Sequence, residues 1–309
     1  MQAVDRYINN RLESDVALIK RMGAYIIHSG GKRMRPMTVL LSAKACDYSG
    51  DDHIALAAII EFIHTATLLH DDVVDSSAMR RGRASANQIW GNEASVLVGD
   101  FLYSRSFEMM VGVGNMAVME VMAKTTNTIA EGEVLQLLNC HSPAVTEEQY
   151  LDTIRRKTAK LFESAAQLGA VVSNQPAAIE RALTHYGMYL GTAFQLVDDV
   201  LDYTGSSDDI GKNVGDDLAE GKPTLPLINA LQHGTNNQQK LVRDAIKNGG
   251  REYIDELLAI IESTGALAYS ARSAREQARM AKQALVALPN SSYKQALLNL
   301  ADFVVDRTY

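Results

Sequence analysis

The sequence predicts an all-α protein, and three features carry that reading. Apolar residues recur at helical spacing along nearly all of the 309 residues. No segment alternates apolar and polar side chains as a half-buried strand would. Punctuation is sparse, with six prolines in the whole chain and Gly, Asn, Asp and Ser gathered at intervals. Two apolar runs each end in an acidic cluster, Asp71-Asp72-Val73-Val74-Asp75 and Asp198-Asp199-Val200-Leu201-Asp202. Breaks are predicted at 29–31, 47–52, 80–92, 111–115, 139–145, 173–176, 205–223, 234–237, 248–250 and 289–292, leaving about a dozen helices. With no repeat of solenoid period and no low-complexity linker, residues 1–309 read as a single domain.

Taken in order, Gly31-Lys32-Arg33-Met34-Arg35-Pro36 joins a glycine turn to a proline suited to the first helical position. Lys32 and Arg35 then lie near a helix N-terminus, whose free N–H groups favour an anion; the plain alternative is a solvated basic turn. The next long helix ends at the first acidic cluster. Asp71 and Asp75 share one face there, as Asp198 and Asp202 do later, and like charges at that spacing repel unless a cation bridges them. Two such patches suit the jaws of a site for a metal-bound polyanion. Arg80 and Arg81 follow just past the helix end and reach the same region. Thr146, with Glu147 and Glu148 behind it, reads as an N-cap. Lys157 and Thr158 fall in an amphipathic helix, where a lysine usually snorkels to the surface. Gln195 shares a helix face with Asp198 and Asp199, and its amide carbonyl can turn toward a developing positive charge. Gly211-Lys212 and Gly221-Lys222-Pro223-Thr224-Leu225-Pro226 bracket a polar loop able to close over phosphates.

The bulk numbers narrow the function. A composition 47% hydrophobic and 22% charged is that of a globular protein. A net charge of −7 argues against a nucleic-acid partner, whereas small basic islands at 32–35, 80–83 and 155–157 suit a small anion. Two cysteines are too few for a disulfide framework. The amphipathic start lacks a signal-peptide core, and the longest apolar stretch, 54–69, is interrupted by Glu61 and His64. A soluble, cytoplasmic protein without an integral membrane segment is expected. Paired carboxylates of this kind suit Mg²⁺, which keeps waters and completes its shell with substrate phosphates.

The stretch Phe62-Ile63-His64-Thr65-Ala66-Thr67-Leu68-Leu69-His70-Asp71-Asp72-Val73-Val74-Asp75 resembles the first aspartate-rich motif of the trans-prenyl diphosphate synthases. The 31–36 turn, Arg80-Arg81-Gly82, Val98-Gly99-Asp100, Lys157-Thr158, Phe194-Gln195-Leu196-Val197-Asp198-Asp199 and the 221–226 segment match that family's other signatures in order. The likeness runs from about Asp15 to the C-terminus and is strongest to long-chain members. It implies a bundle of mostly antiparallel helices around a deep central cavity, usually as a homodimer. It also implies head-to-tail addition of isopentenyl diphosphate to farnesyl or another allylic diphosphate, supplying a quinone side chain. Mg²⁺, three ions with substrate bound, is implied at Asp71, Asp75 and Asp198, with Asp72, Asp199 and Asp202 supporting. Lys32, Arg35, His64 and Arg81 are implied to take isopentenyl diphosphate; by spacing alone His64 reads as a core histidine. Arg80, Lys157, Thr158, Gln195 and Lys212 are implied to hold the allylic diphosphate, the last four as the catalytic set.

Product length is expected to depend on the helix before Asp71. Thr67 and Ala66 lie about 6 and about 7.5 Å below it, and both are small enough to leave a tunnel open. Met110 and Met122 are candidates for a deeper floor, since Met fills irregular apolar ends; ordinary core packing explains them equally well. A product of about eight isoprene units is expected, with nine or ten as alternatives. An HD-type phosphohydrolase built on His70-Asp71 with His53 or His64 would leave the second acidic cluster without a role. A terpene cyclase would need a different second metal site. A non-catalytic partner subunit would be expected to have lost an acidic motif.

Overall fold

The computed structural model describes residues 1–27, 29–204 and 215–307. About 80% of the described residues are helical. Among the described residues the extended exception is a small hairpin, in which Met79–Arg80 pairs antiparallel with Arg83–Ala84. Contacts group the chain into two compact units, Met1–Lys124 with Ser164–Thr184 and Ala287–Leu297, and Thr125–Glu163 with His185–Val286 and Leu298–Tyr309.

The first unit is organised around the helix Asp52–Val74. Leu56, Ile59, Ile60, Phe62 and Leu69 are wholly buried and point to several sides of it, because apolar residues occupy nearly its whole circumference. Each such side chain contributes about 1.5–3 kcal/mol. Helices Gln2–Arg11, Met34–Ala45 and Asn92–Val113 pack against it. In length and composition this helix could cross a membrane, but 67% of its most apolar window is buried within the protein, which makes it a core helix here.

In the second unit, Thr146 caps the helix Glu147–Ile154 as its sequence predicts. The Thr146 side chain accepts from the Gln149 N–H while the Gln149 side chain accepts from the Thr146 N–H. The helix then passes through a π-helical turn, Arg155–Ala159, before continuing as Lys160–Val172. Two glycines make room for the turn. A Cβ on Gly132 would lie 2.6 Å from the Lys157 nitrogen, and one on Gly191 2.5 Å from the Ala159 Cα. The second acidic cluster ends the helix Ala177–Thr204. Tyr150, Ile154, Leu196, Val197, Leu225 and Ile228 form the core beneath it.

Three sequence expectations are corrected. The N-terminal stretch is two helices, Gln2–Arg11 and Ala17–Ile27, rather than one. A further break at Thr264-Gly265 separates Ile254–Ser263 from Ala266–Ala284, with Gly265 at φ 69°. Pro36 is the third helical residue, not the first, because the helix begins at Met34; the first turn needs no N–H partners, so proline is tolerated there too.

Candidate active site

In the first unit, Asp71 and Asp72 occupy the last turn of Asp52–Val74, and Asp75 is its C-cap. Asp72 is fully buried and receives both Nε (2.7 Å) and Nη2 (2.6 Å) of Arg80 on Oδ1. Its Oδ2 is buried without a hydrogen-bond partner among the described residues. Burial pushes the Asp72 carboxyl up, and Arg80 works against that shift. The Asn87 amide holds the Asp72 carbonyl at 3.0 Å, fixing the helix end.

Arg81, at φ 52°, folds its guanidinium over the 29–31 turn and donates to the Gly30 carbonyl and the Ser29 hydroxyl. Arg35 Nη1 meets His64 Nε2 at 3.3 Å. The guanidinium can only donate, so this nitrogen is the acceptor and the ring proton sits on Nδ1. Desolvation, then the charges of Arg35, Arg81, Arg80 and Arg33, hold His64 well below its ordinary pKa and keep it neutral. The structure therefore gathers Arg35, His64, Arg80 and Arg81 at the first acidic helix. Arg33 departs from the reading of a free basic island. It pairs with the buried Glu61 at 2.7 Å and donates to the Ile27 carbonyl, so its charge is used internally. Lower on the same helix Ala66 is buried and Thr67 is half-buried, while Met110 and Met122 are wholly buried.

In the second unit the predicted residues form a connected chain. Thr158 Oγ1 donates to Gln195 Oε1 at 3.0 Å, and Gln195 Nε2 donates to Asp199 Oδ1 at 2.8 Å. Asp199 Oδ2 accepts from the Tyr150 hydroxyl at 2.5 Å. Burial and the neighbouring Asp217 push the Asp199 carboxyl up to about 7, opposed by these two donors. Lys157 is not a solvated lysine; its ammonium meets Glu133 at 2.5 Å and is 16% exposed. The π-turn explains how Lys157 and Thr158 are presented, since such bulges re-aim side chains within a helix. Lys212 lies outside the described residues.

Two residues here escape sequence reasoning. Arg307 is 4% exposed and bonds Asp198 at 2.7 Å. It also stacks on the Phe194 ring at 4.0 Å and donates to the carbonyls of Phe194 and Val304. No spacing rule reaches from the C-terminal end to residue 198. Tyr150 carried one faint signal, a phenol on an apolar helix face that must find a polar partner once buried.

The donor set fits Mg²⁺. It consists of hard carboxylate oxygens at two helix ends, the ligand type this ion prefers. Among the described residues no three His, Cys, Asp or Glu side chains are grouped so as to hold a metal ion by themselves.

An acidic helix end among arginines in the first unit, and an acidic helix with a bonded amide and hydroxyl in the second, are features in keeping with an enzyme that handles diphosphates. The polyprenyl synthetase family profile matches residues 16–263, and the chain belongs to that family; it is a prenyltransferase. It is 53% identical to the octaprenyl diphosphate synthase of Haemophilus influenzae, covering 100% of this chain and 94% of that protein. It is 51% identical to that of Escherichia coli, covering 99% and 95%. A polyprenyl synthase from Caulobacter crescentus, crystallised with calcium and isoprenyl diphosphate, superimposes with a TM-score of 0.97 at 43% identity, covering 100% of this chain and 95% of that one. A decaprenyl diphosphate synthase from Rhodobacter capsulatus gives 0.94 at 44% identity, covering 100% and 96%.

Proposed function

We propose that the chain is a single catalytic domain that builds a long all-trans polyprenyl diphosphate of about eight isoprene units, for a quinone side chain. It adds isopentenyl diphosphate head-to-tail to farnesyl or another allylic diphosphate. The observation that carries this reading is the Thr158–Gln195–Asp199 chain beside the second acidic cluster. Such an arrangement turns oxygen atoms toward a cation, which a phosphate hydrolase would not need. The octaprenyl products named for relatives above 50% identity support the length.

Asp71, Asp75 and Asp198 are the metal-holding carboxylates in this reading. Bound Mg²⁺ supplies positive charge against the departing diphosphate. Lys157, Lys212 and Arg80 add to that charge as the allylic C–O bond breaks and its electron pair leaves with the diphosphate. Gln195 and Thr158 oxygens face the allylic cation, the isopentenyl double bond attacks it, and the released diphosphate takes the proton lost in elimination. Arg35, Arg81 and Lys32 hold isopentenyl diphosphate, with neutral His64 accepting from Arg35 and fixing its direction. The tail passes Ala66 and Thr67 toward Met110 and Met122. The enzyme works in the cytoplasm as a homodimer. Support for the dimer comes from exposed apolar side chains, Leu97 and Val111 on Asn92–Val113 and Leu137 and Leu138 on Met116–Asn139.

The test is incubation with Mg²⁺, farnesyl diphosphate and labelled isopentenyl diphosphate, followed by chromatography of the products. Label in a ladder ending near eight units is the expected result. Released phosphate without chain growth would reject the reading.

A further inference from the structure

We propose that Tyr150 and Asp199 are positioning residues that lock the oxygens of Gln195 and Thr158 toward the allylic cation. The proposal rests on the prenyl-transfer reading above and assigns a role to two side chains beneath the reacting groups.

Hydrogen-bond direction fixes how these side chains are turned. Asp199 is 2% and Tyr150 6% exposed, so both are closed off from solvent. In this bonding pattern Asp199 is the acceptor at both of its oxygens. One oxygen takes the Tyr150 hydroxyl at 2.5 Å and the other the Gln195 amide at 2.8 Å. The Gln195 N–H₂ end is thereby committed to Asp199. A flipped amide would give up this bond and would also turn its N–H₂ end toward Thr158 in place of the oxygen that accepts there. The Gln195 carbonyl must then lie on the far side, where it accepts from Thr158 at 3.0 Å. Thr158 has one hydroxyl proton, and this bond uses it. Its remaining lone pairs, and the second lone pair of Gln195 Oε1, are left with no donor group among them.

Each proton in the chain is thus committed to a protein acceptor, and the lone pairs left over are on oxygen. An amide N–H or hydroxyl proton aimed at a carbocation would raise its energy, whereas fixed oxygen dipoles stabilise it without reorganisation at the moment of reaction. Tyr150 supplies the second anchor of Asp199, keeping the carboxylate plane facing Gln195. The π-turn at Arg155–Ala159, seated against Gly132 and Gly191, brings Thr158 into reach of the same amide. Asp199 accordingly has both oxygens occupied by protein donors.

The test compares two inert analogues of farnesyl diphosphate. One carries an ammonium centre where the cation forms; the other is a thiolo-diphosphate that stays neutral at carbon. Their dissociation constants are measured with saturating Mg²⁺ for the wild type, Tyr150→Phe and Asp199→Asn, with Thr158→Val as comparator. The wild type is expected to bind the ammonium analogue more tightly. That preference should fall about tenfold in Asp199→Asn and about threefold in Tyr150→Phe, with the binding of the thiolo analogue and the half-saturating Mg²⁺ concentration unchanged in Tyr150→Phe. A preference that persists in both folded variants overturns the proposal. So does an equal loss of both analogues, which would mark a general packing or diphosphate role. Should Asp199→Asn lose its helical signal, Tyr150→Phe, which keeps the ring and its packing, decides alone. Failure of the wild type to elongate farnesyl diphosphate would instead reject the prenyl-transfer reading.

Discussion

Arg80→Ala separates two jobs that one side chain can do. Asp72 has no solvent exposure, and Arg80, 20% exposed, reaches the same carboxylate oxygen with two nitrogens at 2.7 and 2.6 Å. Removing one partner of a buried pair typically costs 3–5 kcal/mol, because the other charge stays buried without compensation. With Arg80 partly exposed, a loss of about 3 kcal/mol is expected. Asp72→Asn keeps the shape and removes the charge, so the double variant should be less destabilised than the sum of the singles by about 2 kcal/mol. Urea unfolding of the metal-free protein in EDTA, followed by circular dichroism at 222 nm and low ionic strength, reads all four corners of the cycle. A cost below about 0.5 kcal/mol for Arg80→Ala, or strict additivity, would show that the pair does not hold the helix end. Weakened binding of the allylic diphosphate with unchanged stability would return Arg80 to a ligand-binding role alone.

Three further outcomes follow from the same geometry. Ala66→Phe, at a buried position one turn and a residue before Asp71, should truncate the product ladder to about three or four isoprene units; an unchanged ladder would mean that the tail does not pass this helix. Arg307→Ala removes a buried guanidinium bonded to Asp198 and two carbonyls. It should cost about 2 kcal/mol in urea unfolding and lower the Mg²⁺ requirement, since Asp198 loses a competing cation; a higher requirement would contradict that sign. Burial pushes the Cys46 thiol up to about 11, and the thiolate is the reactive form. Iodoacetamide at pH 8 should therefore spare Cys46 in the folded protein, and mass spectrometry should find label on it only after denaturation.

Much of the site was legible in local spacing. The acidic clusters sit at helix ends because apolar runs lead into them, and Gln195 bonds Asp199 because residues four apart share a face. Thr146 caps its helix because its hydroxyl and the residue three later are matched. What the sequence withheld depends on pairing over long separations. Arg33 and Arg35 are two residues apart, yet one is spent on Glu61 and the other meets His64; a basic island does not announce which charges are taken internally. The π-turn is invisible because its residues are ordinary helix formers, and the glycines that cradle it, Gly132 and Gly191, lie on other helices. Arg307 and Tyr150 were missed for the same reason, since their partners are over a hundred and nearly fifty residues away.

The central claim is that carboxylates at two helix ends hold Mg²⁺ for diphosphate departure. Its most direct test is the rate of isopentenyl diphosphate incorporation in EDTA and after Mg²⁺ is restored, for the wild type, Asp71→Ala and Asp198→Ala. The account predicts no turnover in EDTA and recovery with Mg²⁺ in the wild type. Each variant should lose about three or more orders of magnitude while its helical circular dichroism is retained. Near-wild-type turnover in either folded variant, or turnover that persists in EDTA, would contradict it.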